Sequence, residues 1–221
     1  MNIKLSDSFS YKRLIQFTLP SVAMMVFTSI YGVVDGFFVS NYAGKTAFAA
    51  VNLIMPFLML LGTVGFMFGT GGSALVAKYM GQGRAEKANR LFSLFVYFSA
   101  ALGTVISILA FIFIRPIAVA LGADGAMLQN CVLYGRIIIV AAPAFILQQE
   151  FQSFFVTAQK PTLGLIATVV SGVTNMVLDA LFVGGFGWGI AGAAAATALS
   201  QLVGAVIPLC YFFRKNNSPL R

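Results

Sequence analysis

The chain has 221 residues, 59% of them hydrophobic and only 9% charged, with a formal net charge of +8 and no histidine. That composition excludes an ordinary soluble domain, because apolar stretches recur that are long enough to cross the ~30 Å hydrocarbon core of a bilayer as helices of about 20 residues. The absence of histidine removes the usual metal ligand and neutral-pH proton carrier. The basic excess falls at the ends of apolar runs, where membrane topology accounts for it, so nucleic acid is not an expected partner.

In chain order, residues 1–13, "MNIKLSDSFSYKR", form a polar segment. The apolar run that follows is too long for a signal-peptide core, so the first helix is expected to be retained. Six spans are then predicted, at 14–42, 47–77, 90–115, 128–157, 162–184 and 190–213. Between them lie "NYAGKT", "YMGQGRAEKANR", "RPIAVALGADGA", "TAQKP" and "GGFGWGI". Residues 214–221 are a polar tail that reads as the start of a linker. The expected fold is an all-α integral membrane protein, a six-helix bundle over 14–213, in which each helix satisfies its own backbone within lipid.

Charge predicts the orientation. Lys4, Lys12, Arg13, Lys78, Arg84, Lys87, Arg90, Lys160, Arg214, Lys215 and Arg221 fall on one side, and Lys45 and Arg115 on the other. By the positive-inside rule both termini are expected in the cytoplasm, with the chain in the plasma membrane. Pro20, Pro56, Pro143 and Pro208 fall within or near spans, and Gly65 and Gly69 form a G-x-x-x-G pair suited to close helix packing. Cys131 and Cys210 both sit in apolar runs and read as small buried hydrophobes.

Acidic residues within spans are costly, by roughly 2.5–3.5 kcal/mol on insertion scales, and are functional candidates by default. Asp7, Glu86 and Asp124 fall outside the spans; Asp35, Glu150 and Asp179 fall inside. At ~1.5 Å rise per residue, Asp35 and Asp179 both reach roughly 30 Å from the inner charges of their helices, hence the same outer level. Asn175, four residues before Asp179, shares its helical face. Thr197, early in the descending sixth span, reaches a comparable depth. These four oxygen-bearing residues make one candidate coupling site for H⁺, or for Na⁺ as a metal ligand set if sodium is the coupling ion. The competing expectation is that the acids are hydrated near the interface or paired with Arg136.

Met59 and Phe66, on a Phe- and Met-rich helix, are substrate-cavity candidates or else lipid-facing or core residues. Glu150, in "LQQEFQ" toward the cytoplasmic end of the fourth span, is a further cavity candidate, with solvation or a local hydrogen bond the plainer reading. Trp188 reads as an interfacial anchor. With no His cluster, serine elbow or Cys–His arrangement, an enzyme is not expected.

The stretches "LPSVAMMVFTSIYGVVDGFFVSNYAGKTAFAAVNLIMP", "GTGGSALVAKYMGQGRAEKAN", "FQSFFVTAQKP" and "TNMVLDALFVGGFGWGIAGAAAAT" together resemble the N-terminal half of the multidrug and toxic compound extrusion (MATE) transporters. The resemblance implies two six-helix lobes, alternating access, and export of amphipathic, often cationic compounds driven by inward H⁺ or Na⁺ movement. It also implies an N-lobe cation site at Asp35, Asn175, Asp179 and Thr197, the same four positions. Similar proteins carry about twelve helices, so a second six-helix lobe is an expected partner, as a further half or a second copy. The alternatives are export of a lipid-linked or polymeric precursor, for which Arg136 speaks, and a half-length membrane protein that does not transport.

Overall fold

Long runs of Leu, Ala, Phe and Val with few interior charges fold as helices because, in lipid, only a helix satisfies its own N–H and C=O groups. A computed structural model describes residues 11–214 and Leu220, excluding the side chains of residues 12–14, 16 and 17. The calls on Lys4, Asp7, Lys215 and Arg221 lie outside it, as do the side chains of Lys12 and Arg13. The helices are α1 (Tyr11–Phe38), α2 (Lys45–Gly81), α3 (Ala85–Ala120), α4 (Gly125–Thr157), α5 (Pro161–Asp179) and α6 (Gly189–Phe213). α1 runs on into a π-helical turn, Val39–Ala43, and α5 into another, Ala180–Gly185. All six are long and apolar enough to cross a membrane, with mean hydropathies of 1.8 to 2.2.

Two expected loops are shorter than the sequence suggested. The helix continues through "YMG" to Gly81 and resumes at Ala85, and α3 runs on through Arg115 and Pro116 to Ala120. Hydropathy marks where lipid ends; it does not mark where the backbone hydrogen bonds end, and Lys, Arg, Glu and Ala are good helix formers in water. The tight reversals that remain use glycine in the left-handed region, Gly83 at φ 73° and Gly122 at φ 95°.

Lipid tails are as apolar as leucine, so helices associate through close van der Waals packing and interhelical hydrogen bonds. α4 is the hub, packed against α2, α3 and α6, while α1 lies along α5 and meets α2 chiefly at the Val39–Ala43 turn. Gly62, Gly65, Gly69 and Gly72 line one face of α2, and a Cβ on any of them would strike Phe145, Ile146, Glu150 or Phe95. At Gly65 and Gly69 the obstacle is α4 backbone, which cannot step aside. The G-x-x-x-G pair is therefore a packing device. Gly172 does the same for α5, where a Cβ would stand 2.5 Å from the Phe27 ring and 2.9 Å from the Tyr31 ring of α1.

The core divides along the membrane axis. Toward the end where α1 finishes, here called the distal end, it is aliphatic around Val39, Ile54, Ile114, Ile138 and Ala193. Toward the end where α1 begins and α6 finishes, the terminal end, Phe92, Phe151, Phe154, Phe155 and Phe212 pack ring on ring. Cys131 is buried as expected, its thiol donating to the Ala50 carbonyl at 3.4 Å. Cys210 is not: it lies exposed on the outside of the bundle, where a small apolar side chain is equally at home.

The glycine geometry sets a paired test. Gly65→Ala should cost about 1–3 kcal/mol of stability through overpacking, read as a lowered thermal midpoint in detergent. Gly71→Ala, with nothing within 4 Å of its Cβ, should be neutral or stabilising by up to roughly 1 kcal/mol through helix propensity.

Candidate functional site

The distal half of the bundle gathers polar side chains from four helices. Asp35 is carried by α1, which Gly172 allows to lie close along α5. One helical turn separates Tyr31 from Asp35, and one turn separates Asn175 from Asp179, so each helix presents its pair on a single face. Thr197 comes from α6 and Tyr134 from α4.

The carboxyl groups of Asp35 and Asp179 lie within hydrogen-bonding reach of each other. An ionised carboxylate only accepts, so the two bond when one of them carries a proton. Asp179 is fully buried, and both of its oxygens, with Oδ1 of Asp35, are enclosed without another donor among the described residues. Asn175 Nδ2 donates to Thr197 Oγ1 at 3.4 Å, and Asn175 Oδ1 is likewise enclosed and unpartnered. All four predicted residues therefore meet, and the expectation that the acids are merely hydrated near the interface does not describe Asp179.

Nor does Arg136 neutralise them. It is exposed, its guanidinium 5.3 Å from the centroid of the Phe111 ring, and with Arg115 it lines a separate distal groove of about 600 Å³. No cationic side chain adjoins the acid pair among the described residues.

The sequence reading missed Tyr134. Its side chain is fully buried, beside the Thr197 hydroxyl and within electrostatic reach of both aspartates, and its phenol oxygen has no settled partner. A buried tyrosine hydroxyl ordinarily finds one. The available signal was a lone tyrosine in the apolar run "CVLYGRIIIV" at the depth of the acids. Tyr31 stands near Asp35 on the other side.

Of the two plainer readings of Glu150, solvation and a local hydrogen bond, the structure supports the second. It is fully buried where α4 meets α2 and α3, accepts a hydrogen bond from the Ser99 hydroxyl, and packs its backbone on Gly69. The hydrogen-bonded reading fits, and no solvation does. Met59 and Phe66 are 61% and 58% exposed on the outer face of α2, so within this lobe they enclose no cavity. Trp188 is exposed at the distal turn, stacked on Phe182 at 4.9 Å, as an interfacial anchor would be.

The donor set suits a proton or a hard cation: two carboxylates, an amide carbonyl and two hydroxyls, all oxygen. Among the described residues no group of three or more His, Cys, Asp or Glu gathers, so no transition-metal site is built. Removing one acid tests the electrostatics. Asp179→Asn should raise the thermal midpoint at alkaline pH, where the wild type must hold two like charges together. At acidic pH, where the pair is protonated, the difference should shrink.

Comparison with known proteins agrees with this architecture. The chain is 27% identical to the multidrug export protein MepA of Staphylococcus saprophyticus over 207 residues, which is 94% of this chain and 46% of the relative. It superimposes with a TM-score of 0.88 and 25% identity on an outward-facing conformation of a multidrug resistance MATE family transporter of the MOP superfamily, over 93% of this chain and 46% of that one. A MOP superfamily transporter from Pyrococcus furiosus, described as having a binding pocket of reverse polarity, matches with a TM-score of 0.87 and 25% identity, over 93% and 45%. The chain thus spans about half the length of the curated relatives it matches. With residues 20–181 matching the MatE family pattern, the chain is a membrane protein that belongs to the MatE family.

Proposed function

We propose that this lobe is the cation-coupling half of an antiporter that exports amphipathic, often cationic compounds by alternating access. The observation that carries the reading is the meeting of Asp35 and Asp179, from different helices, in a buried all-oxygen cluster without a neighbouring cation among the described residues. Multidrug export by the relative in Staphylococcus supports the substrate class. With both termini in the cytoplasm, as the distribution of lysine and arginine favours, the cluster lies in the outer half of the membrane.

In this mechanism the ionised pair attracts a cationic substrate. Asp35 and Asp179 then take up H⁺, or with Asn175 Oδ1 and the Thr197 hydroxyl hold Na⁺, and in doing so lose that attraction. Tyr134 and Thr197 supply hydroxyls that donate to the charged form and accept from the protonated one. Exchange follows because each ligand binds the two charge states with different affinity. α1, tied along α5 on one side, is the element placed to move with the change, bending at Pro20. A second six-helix lobe, as a further half or a second copy of this chain, would close the substrate cavity against the exposed faces of α1 and α2.

The groove shared by Arg115 and Arg136 favours a second reading, export of an anionic lipid-linked or polymeric precursor. Binding of a fluorescent cationic dye across pH, with and without Na⁺, separates the two. The coupled reading expects wild-type affinity to fall at acidic pH or on adding Na⁺. It expects Asp179→Asn to lose roughly tenfold, about 1.4 kcal/mol, together with that dependence. Unchanged pH and Na⁺ dependence in Asp179→Asn defeats it, and preference for an anionic probe moves the assignment to the precursor.

A further inference from the structure

At the terminal end, far from the acid cluster, a trough of about 330 Å³ runs between α3, α4 and α6. Its walls are the Phe92, Phe151 and Phe212 rings with Tyr97 and Ser93, and Arg214 stands at its mouth. Phe151 and Phe212 stack at 5.6 Å and Phe92 meets Phe212 at 4.9 Å, which gives the trough a rigid aromatic floor. Tyr97 is 64% exposed on the outside of the bundle, so the trough opens sideways, toward lipid.

The trough is short: its walls run from Phe92 to Tyr97 on α3 and from Leu209 to Arg214 on α6, five helical steps or roughly 7–8 Å, about half of the ~15 Å of hydrocarbon in one leaflet. Arg214 follows the last turn of α6, at the polar end of the trough. The other charged side chains around that end are mostly basic: Lys78, Arg84, Lys87, Arg90 and Lys160 stand with one exposed acid, Glu86, which pairs with Arg90, among the described residues. A short apolar channel under a guanidinium fits the headgroup end of an anionic amphiphile and repels the cationic compounds proposed for the distal site.

We infer that this trough is a binding site for an anionic phospholipid of the surrounding bilayer, its phosphate on Arg214 and the upper part of one acyl chain along Phe92, Phe151 and Phe212. A basic residue near an anionic membrane surface contributes enough for about a fivefold preference. Under the orientation proposed above, the leaflet concerned is the cytoplasmic one; the site itself does not depend on that assignment.

The test is native mass spectrometry of the purified full chain, delipidated in neutral detergent and titrated with phosphatidylglycerol or phosphatidylcholine of the same acyl composition. Wild type should retain one phosphatidylglycerol per chain, about fivefold more readily than phosphatidylcholine. Arg214→Gln should bring the two to parity, and Arg214→Lys should keep most of the preference. Ser93→Trp, which fills the trough from its rim, should lose retention of both; size-exclusion elution checks that it is folded, and the Arg214 pair decides if it is not. Equal retention of the two lipids by wild type, or an unchanged preference in Arg214→Gln, overturns the proposal. So does competition by inorganic phosphate as effective as by the lipid, since the trough would then have no part in recognition.

Discussion

Two carboxyl groups within hydrogen-bonding reach of each other, with no cationic side chain beside them among the described residues, are the constraint on which the distal half of this lobe turns. Two like charges about 4 Å apart repel by roughly 4 kcal/mol at an effective dielectric constant of 20. A single surface ion pair contributes at most about 1 kcal/mol, so no incidental contact offsets that repulsion. What keeps α1 beside α5 is packing: the Phe27 and Tyr31 rings rest on Gly172 one to two turns from the acids. Ionised together, the acids push the two helices apart; a proton on either one removes that repulsion. Structure and charge state are thus coupled at a point where the helix contact lies on one side only.

The relation between sequence and site follows from what counting along a helix can measure. Depth is legible, because rise per residue is fixed, and depth alone brought Asp35, Asn175, Asp179 and Thr197 to one level. Direction is less so. α4 is apolar on nearly every side, so nothing in its pattern showed that Tyr134 faces the acids while Arg136, two residues on, faces outward. Glu150 has the same history: its depth was readable, its burial against Gly69 and Ser99 was not. Helix ends were placed too early where polar residues begin, since Glu86 and Arg90 mark departure from lipid and the backbone ladder passes straight through them.

The two ends of the lobe differ in chemistry. The distal end combines aliphatic packing, enclosed oxygens and two π-helical turns, each following one of the acids in the chain. Such wide turns loosen the regular hydrogen-bond ladder and are frequent at functional sites. The terminal end combines interlocking phenylalanines with a collar of lysine and arginine. Ring-on-ring packing favours a fixed arrangement and basic residues favour a headgroup layer, whereas the distal core is mainly aliphatic.

The stacking of Trp188 on Phe182 carries a practical consequence. It is the only tryptophan in the chain, nine residues after Asp179 and just past the π-helical turn Ala180–Gly185 that extends α5. Excited at the red edge, where its seven tyrosines do not absorb, this chain therefore emits from one indole just beyond α5. A shift of that helix end alters the overlap of the two rings, so the molecule carries a native optical gauge of its distal end, with no label attached.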